Sequence, residues 1–532
     1  MPHAAPPPPP AVQILLGADL WQAGAPPVAG QALAVKGGRI VGTGPAADLL
    51  RAYPRAARVE LPGGTLLPGF IEGHAHVLGL GRLAREADLT GAPSLDEALA
   101  RVARWAGEGH GWIQGRGWDQ NLWPSKTFPT AADLDARTGD RPAALRRVDG
   151  HALWANTAAL RAAGITRATP DPRGGAILRD GRGEPTGILL DGAMDLVEQV
   201  IPPPTAAELE AALKDGLARL RDLGFTAVAD MGVNRPELEA YRRLAKAGKL
   251  PIRVFAYLNH DARLMVQELR HPRAVKLASF QVQGVKFYMD GALGSRGARL
   301  LAPYADAPGQ GLWVTDPKRV SVDAKATIRA GYQPAIHAIG DAANREILDI
   351  LAALPRPKGL PPRVEHAQIV APADTARFGA LGVVASVQPM HCTDDHAWTP
   401  ARLGPEREAE AYPWRSFLQG GALLAFGSDA PIADANPFKA IRAAETRQDA
   451  AGDPPGGWLP AQRLTRAEAV EAYTRGNARA LGRTDLGVLK PGAVADLLWV
   501  QAPLATLAPA DLAQVRPGRL WVNGIEVKLE HP

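Results

Sequence analysis

The chain of 532 residues contains a single cysteine, Cys392. No intramolecular disulfide can form, and a zinc site built on several thiolates is excluded. Long hydrophobic runs are also lacking, because no stretch reaches the roughly 18 uninterrupted apolar residues that a membrane span needs. The N-terminus has neither the basic nor the apolar region of a secretory signal. We therefore expect a soluble cytoplasmic protein that has no membrane partner.

Runs of like charge are lacking too, although the net charge is +5 and the isoelectric point is near 9.3. Lysine and arginine are scattered among acidic residues, so the field of the excess charge is weak. We therefore expect no nucleic-acid partner. Hydrophobic residues make up 46% of the chain and charged residues 22%, which is ordinary for a globular protein. The length predicts about two to four structural units.

The two ends of the chain share a pattern of short apolar runs separated by turn residues. Residues 1–11 are too rich in proline to build a core, and we expect a disordered tail there. Gly37-Gly38 near one end and Asn523-Gly524 near the other are typical of hairpin turns. We predict one small β-sandwich domain that residues 12–64 and 485–530 form together.

Between the two ends, helical stretches alternate with short apolar runs, which predicts a parallel sheet with crossover helices. The number of such units, near eight, favours an α/β fold of the (β/α)8 TIM-barrel type over residues 65–484. Residues from about 85 to 195 do not keep this rhythm and are rich in Trp, Gly, Pro and Arg. We predict an insertion subdomain there.

His74 and His76 end the segment Pro68-Gly69-Phe70-Ile71-Glu72-Gly73-His74-Ala75-His76. In a strand, residues two apart point the same way, so the two imidazoles would project together. Two imidazoles on one side make half of a metal site. An isolated pattern of this kind is as often a pair of structural histidines, and that alternative stays open.

Three further residues follow or end predicted barrel strands, the face where barrel enzymes place their active sites. His337 ends the run 333–337, and His366 ends the segment 363–366, which overlaps the apolar run 364–369. Either histidine alone would more often be a buried structural residue. Asp429 follows the last predicted strand, where it would cap the next helix or act as a general base beside a metal-bound water.

Lys286 lies in a β-like run of apolar neighbours, where a charged lysine is costly to bury. A buried lysine with a depressed pKa can react with carbon dioxide to give a carbamate, an oxygen ligand able to bridge two metals. The alternative is a surface lysine whose stem lies along the protein and whose charge reaches water.

Taken together, these segments resemble the amidohydrolase superfamily, and within it the amidohydrolase 3 branch of YtcJ-like and N-substituted formamide deformylase-like proteins. The resemblance runs through nearly the whole chain, and its ordered motifs are far more specific than two histidines. The motifs are Pro68 to His76, Gly117-Trp118-Asp119, Asp149-Gly150-His151-Ala152, Gly174-Gly175, Pro185-Thr186-Gly187, Val285 to Gly291, Gly294-Ser295-Arg296, His337 to Asp341, Arg363 to His366, Gln388-Pro389, Gly427 to Pro431, Leu486-Gly487 and Ala495-Asp496.

The resemblance implies a (β/α)8 barrel with a β-sandwich formed by both termini. It implies a divalent metal, with zinc expected, as one or two ions per chain. It also implies a role for each site residue: His74 and His76 bind the first metal, Lys286 is a carboxylated bridge, His337 and His366 bind the second metal, Asp429 is the catalytic acid–base residue, and Trp118, His151 and His391 contact the substrate. Cys392 stands where a small residue is usual, and we expect it to pack in the core.

These roles predict a metal-dependent hydrolase that cleaves a non-peptide carbon–nitrogen bond in a small amide or formamide-like substrate. The tryptophans of the insertion would then cover the site and favour a hydrophobic substrate, or they simply pack. The same barrel also supports deaminases and cyclic amide hydrolases. A non-catalytic scaffold is a further alternative, but scaffolds lose metal ligands and this chain has the full set. The sequence leaves a homo-oligomer open.

Overall fold

The computed structural model describes residues 12–22, 27–83, 85–106, 111–148, 152–172, 174–270, 279–355 and 359–530. The predicted tail, residues 1–11, lies outside these residues. Two compact units are present: the first includes the described residues up to Val77 and from Gly216 onward, and the second spans Leu78–Asp215. The second unit begins earlier in the sequence and ends later than the predicted insertion, residues from about 85 to 195. Among the described residues, no helix combines the length and apolar character needed to cross a membrane.

A sheet of eight strands forms the centre of the first unit, and each strand pairs in parallel with the next one along the chain. The strands are β1 (Phe70–Ala75), β2 (Phe225–Val233), β3 (Arg253–Asn259), β4 (Phe280–Tyr288), β5 (Gln333–Ala338), β6 (Arg363–His366), β7 (Val384–Val387) and β8 (Leu423–Phe426). This arrangement confirms the predicted barrel. Its strands are buried on both faces, which is why they were visible in the sequence as apolar runs rather than as alternating patterns.

In the part of the chain that the structure describes, an isolated bridge between Ala75 of β1 and Ala430, which follows β8, completes the barrel. The Asn477 side chain supports this junction, because its amide donates to Ile71 O at 2.6 Å and to Phe426 O at 2.7 Å. One asparagine thus donates a hydrogen bond to a carbonyl on each of the two strands at this junction.

Helices follow the barrel strands, and several begin at a side chain that caps the helix. Asn234, Asp261 and Asp316 each accept a hydrogen bond from a backbone N–H of the first turn that follows. The α-helices of the first unit from β2 onward are Arg235–Lys246, Ala262–Glu268, Pro317–Arg329, Asp341–Ala353, Pro372–Leu381, Pro389–Asp395, Thr399–Leu403, Trp414–Gln419, Pro437–Thr446, Arg466–Glu471 and Asn477–Ala480. Helix Ala206–Asp222 precedes β2, and Val77–Leu83 follows β1.

Two small sheets from the chain ends form the β-sandwich of the first unit. One sheet contains Arg39–Pro45, Gln31–Lys36, Gln13–Leu16 and Ala57–Glu60, and the other contains Asp19–Leu20, Thr65–Pro68, Leu497–Val500, Arg519–Val522 and Ile525–Val527. Both ends of the chain contribute to one core, which includes Leu15, Leu33, Leu66, Leu497 and Trp521. The predicted domain built from both termini is therefore confirmed.

The second unit is a mixed sheet with short helices. Its strands are Gly175–Arg179, Pro185–Asp191, Ala152–Ala155, Ala143–Arg147, Ile113–Trp118 and Ala87–Asp88, and its longer helices are Leu95–Ala106 and Ala131–Thr138. Trp118, Trp123 and Trp154 are buried with ring centroids 6.1–6.4 Å apart. These three tryptophans belong to the core of this unit.

Candidate metal centre

Six of the predicted site residues lie at or just beyond the C-terminal ends of barrel strands, where barrel enzymes carry out their chemistry. They are His74 in β1, His76 after β1, Lys286 in β4, His337 in β5, His366 at the end of β6 and Asp429 after β8. Residues that lie up to 355 positions apart in the sequence, His74 and Asp429, are thus brought to one end of the barrel. The parallel order of the strands causes this convergence.

The imidazole rings form one cluster. The His366 ring centroid lies 4.9 Å from that of His74 and 4.6 Å from that of His337. The His74 and His76 centroids are 5.7 Å apart. One ligand atom each from His74, His366 and Asp429 lies within 4.8 Å of the other two. Side chains whose ligand atoms lie this close together can bind one small cation.

Hydrogen bonds determine which nitrogen His74 and His76 turn toward the centre. His74 Nδ1 lies 2.7 Å from Glu365 Oε2, and His76 Nδ1 lies 2.8 Å from Met231 O. A carbonyl oxygen and an ionised carboxylate can only accept hydrogen bonds, so each Nδ1 carries the hydrogen. When such a ring is neutral, its Nε2 presents a lone pair, the form that binds a metal.

The two Nε2 atoms face the same carboxylate oxygen. His74 Nε2 lies 3.4 Å from Asp429 Oδ1, and His76 Nε2 lies 3.2 Å from it. Among the described residues, none forms a hydrogen bond with Asp429 Oδ1. Lone pairs on neutral rings repel a carboxylate unless a cation lies between them. Imidazole nitrogen and carboxylate oxygen are ligands that zinc accepts, so these residues fit a divalent metal.

His366 has the same orientation as His74 and His76. Its Nδ1 lies 2.9 Å from Gln388 Oε1, the side chain that follows β7. Burial lowers the pKa of His366 well below its ordinary value and lowers the pKa of His337 to about 3. Both rings are therefore neutral near pH 7, as a metal ligand must be.

Asp429 is ionised. Burial by itself would raise its pKa, but the neighbouring imidazoles of His74 and His76 hold the pKa well below its usual range. The carboxylate therefore offers an acceptor for a proton at neutral pH.

Lys286 is 1% exposed, which excludes the alternative of a surface lysine. Its Nζ lies 3.1 Å from His74 Nε2 and 5.3 Å from the Tyr288 ring centroid. Burial lowers the pKa of the amine to about 8. A substantial share of the amine is therefore neutral and nucleophilic in mildly alkaline solution.

The backbone turns sharply where two of these side chains emerge. His366, Ala367 and Asp429 have φ of 74°, 43° and 59°, a region that residues other than glycine rarely adopt. The apolar run 364–369 predicted a longer strand, but β6 ends at His366 because the chain leaves extended geometry there. Strained backbone of this kind clusters at functional sites.

Sequence analysis missed the residues that hold the histidines in place. Glu365 lies within the motif Arg363 to His366, but its contact with His74 was not foreseen. The signal was available, because Arg363 and Glu365 are two apart in a strand and share one face. Sequence analysis also missed Asp290, whose Oδ1 lies 3.5 Å from His337 Nε2.

Asp290 is held by three backbone N–H groups. It accepts hydrogen bonds from Ile339 at 3.0 Å, Gly340 at 2.8 Å and Arg299 at 2.8 Å. Burial raises the pKa of Asp290 to about 7. The carboxylate thus connects the loop after β4 to the turn after β5, beside His337.

The three predicted substrate contacts have different locations. His391 lies in helix Pro389–Asp395, with Nε2 3.8 Å from Asp429 Oδ2 and its ring 6.1 Å from that of His366. Trp118 lies in the core of the second unit, where Nε1 donates to Leu145 O at 2.8 Å, and its contact with substrate stays a prediction. His151 lies outside the described residues.

Cys392 follows His391 and is buried. Burial raises the pKa of the thiol to about 12, so the nucleophilic thiolate is not available at neutral pH. This environment agrees with packing rather than chemistry.

A solved structure and two curated proteins resemble the chain over almost its full length. The structure of an uncharacterized metal-dependent hydrolase from Pyrococcus horikoshii OT3 has a TM-score of 0.81 and 29% identity, covering 94% of this chain and 99% of that one. YtcJ of Bacillus subtilis (strain 168) is 32% identical over 93% of this chain and 95% of its own length. The N-substituted formamide deformylase of Arthrobacter pascens is 27% identical over 93% of this chain and 94% of its own length.

Two family profiles match the sequence. An imidazolonepropionase-like composite domain of bacteria matches residues 32–56, within the N-terminal part of the sandwich. The amidohydrolase family matches residues 58–527, which include every barrel strand, the candidate metal centre and the C-terminal part of the sandwich. With the barrel, the converging side chains and this match in agreement, the chain belongs to the amidohydrolase family.

Proposed function

We propose that this hydrolase cleaves a carbon–nitrogen bond in a small amide or formamide-like substrate. Family membership makes hydrolysis the class of reaction. The name of the Arthrobacter pascens relative, N-substituted formamide deformylase, supports a carbon–nitrogen bond as the one that is broken. The observation that carries the proposal is that His74 Nε2 and His76 Nε2 lie 3.4 Å and 3.2 Å from the same carboxylate oxygen, Asp429 Oδ1.

The metal ligands would be His74, His76, His337, His366 and Lys286, and we propose zinc, as one or two ions. Nitrogen donors and a carboxylate oxygen suit zinc. A metal-dependent hydrolase with 29% identity supports a divalent metal here. When bound, such a cation acts as a Lewis acid and makes water a better nucleophile near pH 7.

Asp429 would act as the general base and then as the general acid. Its carboxylate is ionised, so it can take a proton from the attacking water. The same group can then deliver that proton to the departing amine nitrogen. His391 lies beside Asp429 and would contact the substrate, because its Nε2 forms no hydrogen bond with any described residue.

We further propose that Lys286 is carboxylated in the active enzyme. The neutral amine attacks carbon dioxide, a nitrogen–carbon bond forms, and one proton is released, which leaves an anionic carbamate. Burial favours this change because it disfavours the cationic form of the lysine. A metal beside the side chain favours it as well, since a cationic lysine would repel the metal. The carbamate would supply an anionic oxygen ligand beside the four histidines.

The test of carboxylation is a carbamate signal in the carbon-13 NMR spectrum of the enzyme prepared with metal and carbon-13 bicarbonate. Lys286→Arg keeps the charge but cannot form the carbamate, so the signal, the bound metal and the activity should be lost together. Lys439→Arg changes an exposed lysine paired with Asp434 and should change none of the three. A Lys286→Arg variant with full metal content and activity would overturn the bridging role.

The proposed reaction is tested with metal-analysed protein and a panel of N-formyl and N-acyl amines, with release of the amine as the readout. Turnover should disappear with a chelator and return with zinc. A matched panel of esters is the control for bond type. Cleavage of esters alone would contradict the carbon–nitrogen assignment, and a protein that retains no metal would favour the scaffold alternative.

A further inference from the structure

A fully buried ion pair lies directly behind His74. Arg363 and Glu365 are both 0% exposed. Arg363 Nε donates to Glu365 Oε1 at 2.8 Å, and Nη2 donates to Glu365 Oε2 at 3.1 Å. Glu365 Oε2 also accepts the hydrogen of His74 Nδ1 at 2.7 Å. One carboxylate oxygen therefore serves the arginine and the histidine at once.

Groups on other barrel strands hold the Arg363 guanidinium. Nη2 donates to Gly73 O on β1 at 2.7 Å and to Ser386 Oγ on β7 at 2.8 Å. Nη1 donates to Tyr257 on β3, with its hydroxyl oxygen at 3.2 Å. With the arginine held from three other barrel strands and bound to Glu365 by two hydrogen bonds, the carboxylate has little freedom to rotate away from His74.

The partner of His74 Nδ1 differs in charge from those of two other histidines. His76 donates to the neutral carbonyl of Met231, and His366 donates to the neutral side-chain amide of Gln388. An anionic partner raises the basicity of the opposite ring nitrogen more than a neutral acceptor does, and so makes it a stronger ligand. A pair that served stability alone would not need its carboxylate to reach the imidazole.

We propose that Arg363 and Glu365 are positioning residues that fix the orientation and tautomer of His74, so that its Nε2 binds the metal. The inference rests on the proposed function, because it requires a metal at His74. Neither residue touches the substrate in this role. Their effect passes through His74 to the affinity for the metal.

The test measures the dissociation constants of zinc and cobalt for the full-length protein by competition with a chelator. Glu365→Gln keeps the shape but removes the charge, and it should weaken the binding of both metals by about 10- to 100-fold. The visible spectrum of bound cobalt should also change, because the ligand field of His74 changes. Glu365→Asp keeps the charge but is one methylene too short, and it should lose affinity as well.

The matched control is Asp496→Asn. Asp496 is a buried carboxylate whose Oδ2 lies 3.3 Å from Arg253 Nη1, and it belongs to the β-sandwich side of the first unit. This variant should lower the melting temperature, as Glu365→Gln should, but leave both dissociation constants unchanged. Should Glu365→Gln fail to fold, Glu365→Asp provides the same comparison.

Three unfavourable results can be distinguished. Equal metal affinity in the parent and Glu365→Gln, within about twofold and with the same cobalt spectrum, overturns the positioning role but leaves the proposed function intact. A parent protein that binds neither metal overturns the proposed function and this inference with it. Equal losses of affinity in Asp496→Asn and Glu365→Gln would show a general effect of stability and would also overturn the positioning role.

Discussion

Asp429 Oδ1 lies between two imidazoles, 3.4 Å from His74 Nε2 and 3.2 Å from His76 Nε2. An asparagine at position 429 would keep the shape of this contact but could not accept a proton. We expect Asp429→Asn to lower the rate by about 10²- to 10⁴-fold, as is usual when a general base is lost. The metal content should stay at the parent value, because the five proposed metal ligands are intact.

Steady-state kinetics and metal analysis of the same preparation check this expectation. Asp434→Asn, in the same loop but paired with the exposed Lys439, is the control and should retain the parent rate. Turnover of Asp429→Asn within threefold of the parent, with the metal present, would remove Asp429 from the mechanism.

Glu72 gives the metal-free protein a pH dependence with a definite sign. Burial raises the pKa of this carboxyl group to about 8, from 4.5 in an unfolded chain. Below about pH 4.5 the group is protonated in both states. Between about pH 4.5 and 8 the unfolded chain releases the proton and the folded chain keeps it. The free energy of unfolding should therefore fall as the pH rises through this range.

Glu72→Gln should flatten this part of the stability profile, because glutamine stays neutral at every pH. Urea unfolding of the metal-free protein at several pH values between about 4.5 and 8 measures the difference. Glu60→Gln is the control, since Glu60 is exposed and should leave the profile unchanged. Parallel profiles for the parent and Glu72→Gln would show that the buried carboxyl group does not titrate as described.

At the scale of elements, the junction of β1 and β8 is the weakest part of the barrel ladder. Asn477 donates to Ile71 O on β1 and to Phe426 O on β8, so its loss would leave two buried carbonyls without a donor. Each unsatisfied buried polar group costs about 1–3 kcal/mol. We expect Asn477→Ala to lower the free energy of unfolding by roughly 2–6 kcal/mol, which is the sum for the two carbonyls.

Urea unfolding compares this variant with Arg479→Ala in the same helix, where the side chain is exposed. Arg479→Ala should change the free energy of unfolding by less than about 0.5 kcal/mol, as surface substitutions usually do. Similar small changes in both variants would mean that the barrel closes without the asparagine.

At the scale of the whole molecule, the two chain ends depend on each other. Trp521, near the C-terminus, is 1% exposed in a core that it shares with Leu15 and Leu33 near the N-terminus. Replacing a buried tryptophan with alanine costs about 3–5 kcal/mol through lost burial and the cavity that remains. We expect this loss of unfolding free energy for Trp521→Ala, with the N-terminal strands destabilised as much as the C-terminal ones.

Hydrogen exchange of the amides in Gln13–Leu16 and Gln31–Lys36 measures the effect on the distant end. Ile525→Ala changes an exposed residue of the neighbouring strand and should leave this exchange unchanged. Unaltered protection of the N-terminal strands in Trp521→Ala would contradict a single shared core.

Much of this architecture was predictable from local patterns. A barrel strand is buried on both faces, so each appears as a short apolar run, and turn residues mark the hairpins of the sandwich. His74, His76, Lys286, His337 and Asp429 were each identifiable because they end or interrupt such runs. The location of active sites at the C-terminal face of a barrel then predicted that they meet.

The contacts behind the ligands could not be read in this way. Glu365 shares a strand face with Arg363, but its contact with His74 on β1 has no local signal. The same is true of Asp290 beside His337 and of Gln388 behind His366. A hydrogen bond between residues of distant sequence position leaves no local pattern, since it depends on where the strands place the two side chains.

The sequence by itself determined the class of fold, the sharing of one sandwich by both termini and the chemical types of the candidate ligands, because burial patterns, turns and donor atoms are local properties. The tertiary structure alone decided that Lys286 is buried beside His74, that β6 ends at His366 and that His74, His76 and His366 all turn Nε2 inward. These features follow from the orientation of side chains across strands, which depends on the closure of the barrel rather than on any short segment of the chain.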